Sequence, residues 1–325
     1  MSPGSYLDFE KPVMELEARI RDMREFAQGE NVELSREIRL LERKLERLKR
    51  ETFSNLTPWQ RVQLARHPMR PCSLEYIERM TTGYLPLHGD RAYADDRALI
   101  GGPALLGDRP VMMIGQQKGR TTKEKLTNNF GMCHPEGYRK ALRFMKMAAK
   151  FGRPIVILID TPGAFPGIGA EERGQAQAIA WNLREMSLLP VPIIISIVGE
   201  GASGGALGIG IGDRILMMEN AWYSVISPEG CAAILWPGEA AANAPRAAEA
   251  LHLTAEDLSE SGIADRVIPE PLGGAHRDPE GAAKFLQATI LECIVELSRL
   301  PTMDLLARRR AKYRNVGVFS EDDTF

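Results

Sequence analysis

Cysteine is scarce in this chain and scattered. The 325 residues hold four, Cys72, Cys133, Cys231 and Cys293, with no CxxC pair among them. A zinc ribbon needs closely spaced pairs of thiolates, and a disulfide framework needs many cysteines in a short chain. Both are excluded, and a reducing, cytoplasmic setting is expected. Charge of one sign is missing too. The 41 Lys and Arg stand against 43 Asp and Glu, a net charge of −2, so no global field favours nucleic acid or an anionic membrane. No apolar run reaches the length of a bilayer span. The richest, Leu188 to Val198, contains two prolines. The opening, Met1 to Pro12, has acids and a proline where a secretory signal would have an apolar core. What remains is a chain with 44% hydrophobic residues, long enough for one large α/β domain or two smaller ones.

The first fifty residues differ from the rest. Val13, Leu16, Ile20 and Met23 recur at spacings of three and four, and Leu34, Ile38, Leu41, Leu45 and Leu48 resume the rhythm after a polar break at Gln28 to Asn31. Charges fill the positions between. This pattern predicts two amphipathic helices folded into an antiparallel hairpin, a packing or dimerisation arm. Interleaved Glu argues against a basic nucleic-acid-binding helix. Residues 53 to 97, with four prolines, read as short helices and loops.

From Leu99 onward the texture is α/β. Ala104–Leu106 and Val111–Ile114 flank a Gly107-Asp108 hairpin turn. A helix is predicted from Pro135 to Lys150, with proline in its first turn. A continuous apolar strand, Ile155 to Asp160, leads into TPGAFPG and a helix over Glu171 to Leu189. A second apolar strand, Ile193 to Val198, leads into GEGASGGALGIGIG. Strands follow at Ile215–Met218 and Ser224–Ile226, and Ser227-Pro228-Glu229 opens a helix ending near Trp236. Thr254 and Asp257 start another, closed by Gly262, and a last long helix runs from Asp278-Pro279 to Leu300-Pro301. Strands apolar throughout imply a sheet covered on both faces.

Three chemistries compete for the glycine-rich turns. Asp160-Thr161-Pro162-Gly163 resembles a GTPase switch, but the GxxxxGK[ST] cradle is absent. Gly201-Ala202-Ser203-Gly204-Gly205 matches the nucleophile elbow G-x-S-x-G. A serine hydrolase would then need His276, or His252, with Asp257 or Asp265 as the acid. The third reading makes the same glycines backbone donors. A strand-to-helix turn exposes consecutive amides at a helix start, able to hold a developing oxyanion at about 3 Å without any side chain. Gly163-Ala164-Phe165-Pro166-Gly167 offers a second such turn. Lys118, Arg120, Lys123 and Lys125 form a cationic stretch suited to phosphate or carboxylate, or to a solvated loop.

Taken together, QKGRTTKEK, NFGMCHPEGYRKALR, IDTPGAFPGIGAEERGQAQAIAWNLREMS, GEGASGGALGIGIGD, YSVISPEGCAAILW and IPEPLGGAHRDPE resemble the alpha subunits of the acetyl-CoA carboxylase carboxyltransferase. The likeness is collinear over residues 5 to 310. It implies a crotonase-type (ClpP/crotonase) α/β fold, a spiral of ββα units, carrying the helical arm. On that reading, residues 1–55 form the arm, 56–300 the carboxyltransferase domain and 301–325 a C-terminal tail. It implies transfer of a carboxyl group from carboxybiotin, borne by a separate biotin carboxyl carrier protein, to acetyl-CoA. The product is malonyl-CoA, for fatty acid biosynthesis. It also implies a beta subunit that carries the zinc and most of the CoA site, an α2β2 assembly, and biotin carboxylase as a further partner. The backbone amides of Gly204 and Gly205 then form the oxyanion hole for biotin. Gly163, Ala164 and Ala206 line the substrate site, and no metal is bound by this chain. A propionyl-CoA-type carboxyltransferase subunit is the near alternative, and a serine hydrolase using Ser203 the distant one.

Overall fold

The computed structural model describes residues 6–29 and 34–317. The opening residues 1–5, part of the polar break expected between the arm helices (30–33) and the end of the chain (318–325) lie outside the described residues.

The arm is a hairpin of two helices, Lys11–Gly29 and Ser35–Ser54. Val13 and Ile20 are buried in its seam, while Phe26 and Leu40 are exposed. Two short helices follow, Pro58–Ala65 and Ser73–Met80. The first is closed by a capping box in which Thr57 accepts the Gln60 N–H and Gln60 reaches back to the Thr57 amide.

The body is built on one sheet. Its strands are β1 (Thr81–Thr82), β2 (Leu99–Leu106), β3 (Arg109–Gln116), β4 (Ile155–Thr161), β5 (Ile193–Ala202), β6 (Arg214–Met218), β7 (Trp222–Ser224) and β8 (Arg266–Ile268). Among the described residues the order is β1-β2-β3-β4-β5-β6-β8, with β7 alongside the end of β5. The Gly107-Asp108 turn joins β2 to β3 as an antiparallel hairpin. From β3 to β8 every pairing is parallel. Strands β4 and β5 are buried along their whole length, as the apolar runs that open them lead one to expect. The helix Pro135–Lys150 packs on β2 and β3, and Pro279–Leu297 packs on β5 and β8.

Some elements depart from the sequence expectation. The helix expected over Glu171–Leu189 is two, Ile168–Glu172 and Gln175–Met186, because Gly174 between them adopts φ +81°. The strand expected at Ser224–Ile226 lies two residues earlier, where the β5 end offers it a parallel partner. The stretch read as a tail from 301 carries a helix, Thr302–Arg314. Arg309 on that helix is buried and grips Asp213 with Nε and Nη2 at 2.8 and 2.7 Å. It also donates to the carbonyls of Met186, Leu189 and Val191. No helix among the described residues is long and apolar enough to cross a membrane.

Candidate functional site

Parallel pairing puts the C-terminal ends of β4 and β5 side by side, the place where open parallel sheets gather ligands. Each strand feeds one of the two glycine-rich turns. After β4, Thr161 Oγ1 accepts the Gly163 N–H at 3.1 Å and donates to the Gly163 carbonyl at 2.7 Å, folding the turn on itself. After β5, Ser203 adopts φ +58° and a short helix, Ser203–Leu207, begins. The first amides of any helix lack intrahelical acceptors, and those of Gly204 and Gly205 stand at this start.

The two turns touch. A Cβ placed on Gly205 would lie 2.2 Å from the carbonyl carbon of Gly163 and 2.5 Å from the Ala164 nitrogen, so no larger residue fits there. The Gly205 carbonyl is held from behind by Gln116 Nε2 at 2.8 Å and by the Tyr138 hydroxyl at 3.3 Å. Those two side chains fix the peptide plane that follows the proposed donors. Ala206 is fully buried in the core, so any contact it offers a ligand comes through its backbone.

Beside the turns lies a cavity of about 370 Å³, walled by Arg66, Lys118, Phe130, Asp160, Pro162 and Glu200 among others. Gly163, Ala164, Gly204 and Gly205 are not on its wall. Lys118 Nζ lies 2.7 Å from Asp160 Oδ1 and also pairs with the Glu200 carboxylate. Arg66 Nε reaches Glu200 at 2.5 Å and its other end pairs with Glu229. Burial opposes the negative charge on Glu200, yet the fields of Lys118 and Arg66 outweigh it and hold its carboxyl below the usual range. Cys72, also on the wall, has its thiol pushed up to about 11, mainly by burial and then by Asp160 and Glu75, so it is not a nucleophile.

Of the cationic stretch, Lys118 and Lys125 line the cavity. Arg120 instead bonds Glu75 at 2.8 and 2.5 Å, and Lys123 is exposed. Sequence reasoning singled out Lys118 as a cation suited to a carboxylate but missed Glu200 and Arg66. The available signal was an acid inside the otherwise apolar strand IIISIVGEGA, because a buried carboxylate demands a cation.

The hydrolase constellation is not assembled. A positive φ at Ser203 is common to elbows and to other tight turns, so its partners decide. His276 Nε2 is bound to Glu10 at 3.0 Å, Asp265 accepts the Ile215 N–H at 2.6 Å, and Asp257 caps its own helix through Thr254. His252 is exposed and lies 3.7 Å from Asp257. Among the described residues neither histidine bonds Ser203.

Glu10, His67 and His276 bring three potential metal-ligand atoms within 4.8 Å of one another. The donor set does not suit a cation. His67 Nδ1 accepts the Met69 N–H at 3.1 Å, whereas a metal-bound imidazole donates from its second nitrogen. The Arg277 guanidinium also stands 3.4 Å from Glu10.

A family model described as acetyl co-enzyme A carboxylase carboxyltransferase-like matches residues 6–317. The chain belongs to that family. The acetyl-coenzyme A carboxylase carboxyl transferase subunit alpha of Chlorobium luteolum is 54% identical, over 99% of this chain and 100% of its own length. That of Thermus thermophilus is 53% identical, over 97% and 99%. This chain is therefore an enzyme component, the alpha subunit of a carboxyltransferase. Two solved structures share the architecture. The transcarboxylase 12S hexamer core aligns with TM-score 0.53 at 22% identity, over 68% of this chain and 42% of that one. A Pseudomonas malonate decarboxylase hetero-tetramer in complex with coenzyme A aligns with TM-score 0.56 at 17% identity, over 75% and 97%. The crotonase-type fold implied by the carboxyltransferase resemblance is the fold observed.

Proposed function

We propose that this alpha subunit supplies the biotin side of an active site completed by a separate beta subunit, and that the pair moves a carboxyl group from carboxybiotin to acetyl-CoA. One observation carries the reading: two glycine amides head a helix in a turn so tightly closed on Gly163-Ala164 that nothing larger than glycine fits at Gly205. Such donors suit an oxyanion and require no nucleophilic side chain.

Carboxybiotin, on its carrier protein, supplies an activated carboxyl group. The amides of Gly204 and Gly205 donate to the ureido oxygen and so hold the charge that gathers there as the carboxyl group departs. Gln116 and Tyr138 hold the Gly205–Ala206 peptide, next to the donors, from rotating, which steadies the turn that carries them before the substrate arrives. The Gly163-Ala164 turn excludes water on the other side. The thioester is bound by the beta subunit, which also carries the zinc and decides acetyl-CoA against propionyl-CoA. The assembly is α2β2, cytoplasmic, supplied by biotin carboxylase, and serves fatty acid biosynthesis.

Co-expression with the cognate beta subunit tests this. The purified pair should form malonyl-CoA in a biotin-dependent assay, and the alpha chain alone should not. Robust transfer by the isolated chain would refute the shared site, and labelling of Ser203 by a fluorophosphonate would point to a hydrolase.

A further inference from the structure

Strands β4 and β5 pair in register until Ile159 meets Ile197, and there the ladder breaks. It resumes at Thr161 and Gly201. One residue of β4, Asp160, therefore stands opposite three of β5, Val198, Gly199 and Glu200. Backbone groups stranded in a buried gap must find other partners. The Glu200 N–H finds Asp160 Oδ1 at 3.0 Å, and the Val198 carbonyl accepts Arg70 Nε at 2.9 Å. Arg70 is in turn fixed by a two-point pair with the buried carboxylate of Glu270, at 3.0 and 2.6 Å. Gly199 leaves room for the arrangement, since a Cβ there would lie 2.4 Å from Asp160 Oδ1.

Lys118 closes the gap electrostatically. Its ammonium touches the Asp160 oxygen that accepts the Glu200 amide, and it pairs with the Glu200 side chain as well. All three side chains are largely buried, at 16%, 8% and 7% exposure for Lys118, Asp160 and Glu200. The other charged or titratable groups facing this cluster are Arg66, shared between Glu200 and Glu229, Arg70, paired with Glu270 but also within the field of Asp160, and the Cys72 thiol, which burial and then the Asp160 charge keep protonated. Asp160 stands three residues before Gly163, and Glu200 stands four before Gly204. The separation of the two turns is therefore set at this gap.

We propose that Lys118 is a positioning residue for carboxyl transfer: by neutralising Asp160 and Glu200 together it holds the ends of β4 and β5 at the spacing that seats Gly204-Gly205 against Gly163-Ala164. The inference rests on the reading of those turns under Proposed function. Without the ammonium, two buried carboxylates face each other across the gap. Like charges and burial both favour protonating one of them. Where both stay ionised they repel and the gap widens. A displacement of about 1 Å at a site of this kind costs about 100-fold in rate.

The test uses the complex with the beta subunit. Lys118→Met should lower kcat about 100-fold and leave KM for the acyl-CoA unchanged. Its activity relative to wild type should rise as pH falls, because a proton then replaces the lost ammonium. Adding Asp160→Asn to Lys118→Met should recover most of the loss at neutral pH, because the amide oxygen still accepts the Glu200 N–H and the repulsion is gone. In the full-length chain, amides of Gly163, Ala164, Gly204 and Gly205 should exchange faster in Lys118→Met, with those of the arm unchanged. Should Lys118→Met fail to fold, Gly199→Ala leaves every charge in place and pushes away Asp160 Oδ1, the oxygen that Lys118 and the Glu200 amide share, and the same amides should respond. A Lys118→Met enzyme with wild-type kcat and pH profile, a double variant as slow as the single, or unaltered exchange at both turns would overturn the proposal. A wild-type complex with no carboxyl transfer would instead defeat the functional reading, and the exchange measurement would still decide the role of Lys118.

Discussion

Two buried clusters of charge, one at the ends of β4 and β5 and one at the base of the arm, do different work. At the ends of β4 and β5, Lys118 and Arg66 meet Asp160 and Glu200, joining neighbours in one sheet. At the base of the arm, Glu10 meets His276 at 3.0 Å and Arg277 at 3.4 Å, with His67 3.9 Å away. Arg277 continues to Glu17, and Glu17 to Lys49 on the second arm helix. The first cluster fixes distances inside a rigid sheet that already exists. The second fastens a separate element, whose hydrophobic contacts at this end are few: Phe9 edge-on to Phe53, packed with Leu56 and Leu64. Damage to the first should therefore appear in turnover, and damage to the second in stability and assembly.

The largest effect should come from Gly205→Ala. The added methyl would enter the Gly163 carbonyl and part the turns, with a loss of about 10² to 10³ in kcat, measured on the assembled complex. Ser203→Ala, one turn residue away, should keep most activity, since the amides remain. A dead Ser203→Ala enzyme with an active Gly205→Ala enzyme would invert the comparison. Next, Glu10→Ala removes the carboxylate shared by His67, His276 and Arg277, leaving Arg277 only Glu17 among the described residues, and should cost roughly 3 kcal/mol in denaturant unfolding. Turnover per assembled complex should hold. If it fell as far as in Gly205→Ala, arm and site would not be separate systems.

Acid should weaken both clusters from the same side. Burial raises the Glu10 carboxyl, but His276, the Leu7 amide and Arg277 together take it below its ordinary value. Glu200 is depressed likewise, burial being outweighed by Lys118 and Arg66. A depressed carboxylate contributes stability that is fully present above its unfolded pKa and lost as pH falls through the folded value. Arm docking, followed by hydrogen exchange at the described amides of the arm, should therefore persist at the ordinary glutamate pKa and fail only in stronger acid. Glu10→Gln should abolish that pH dependence. The smallest effect is expected at Gly204→Ala. A methyl there meets only Ile179 Cδ1, at 3.6 Å, and the N–H survives, so kcat should stay close to wild type. A large loss would mean that a substrate atom approaches that Cα.

Local chemistry made much of the fold readable. Pro135 at the first turn and Ser227 as an N-cap, its hydroxyl accepting the Gly230 N–H at 3.1 Å, mark helix starts where the structure has them. The alanine-rich helix Ala240–Ala250 escaped because it contains Pro245 and shows no large apolar stripe. The helix at Thr302–Arg314 escaped because ARRRAKYR reads as a solvated surface, whereas Arg309 is fully buried against Asp213. At the site, the glycine turns were visible as motifs. That Gly205 abuts Gly163 was not, nor that Lys118 bridges Asp160 and Glu200. Those contacts depend on the spacing of two strand ends, and that spacing depends on a ladder break with no signature of its own.

The Arg309 clasp also bears on the order in which the chain can finish folding. Asp213 accepts the Ile193 amide at 2.8 Å, where central strand β5 begins. Until residue 309 has left the ribosome, that carboxylate has no cation beneath it, and the carbonyls of Met186, Leu189 and Val191 lack their donor. The start of β5 in the middle of the sheet is thus tied to the last helix of the described residues. A chain cut before Arg309 would carry a buried carboxylate without that cation under its central strand.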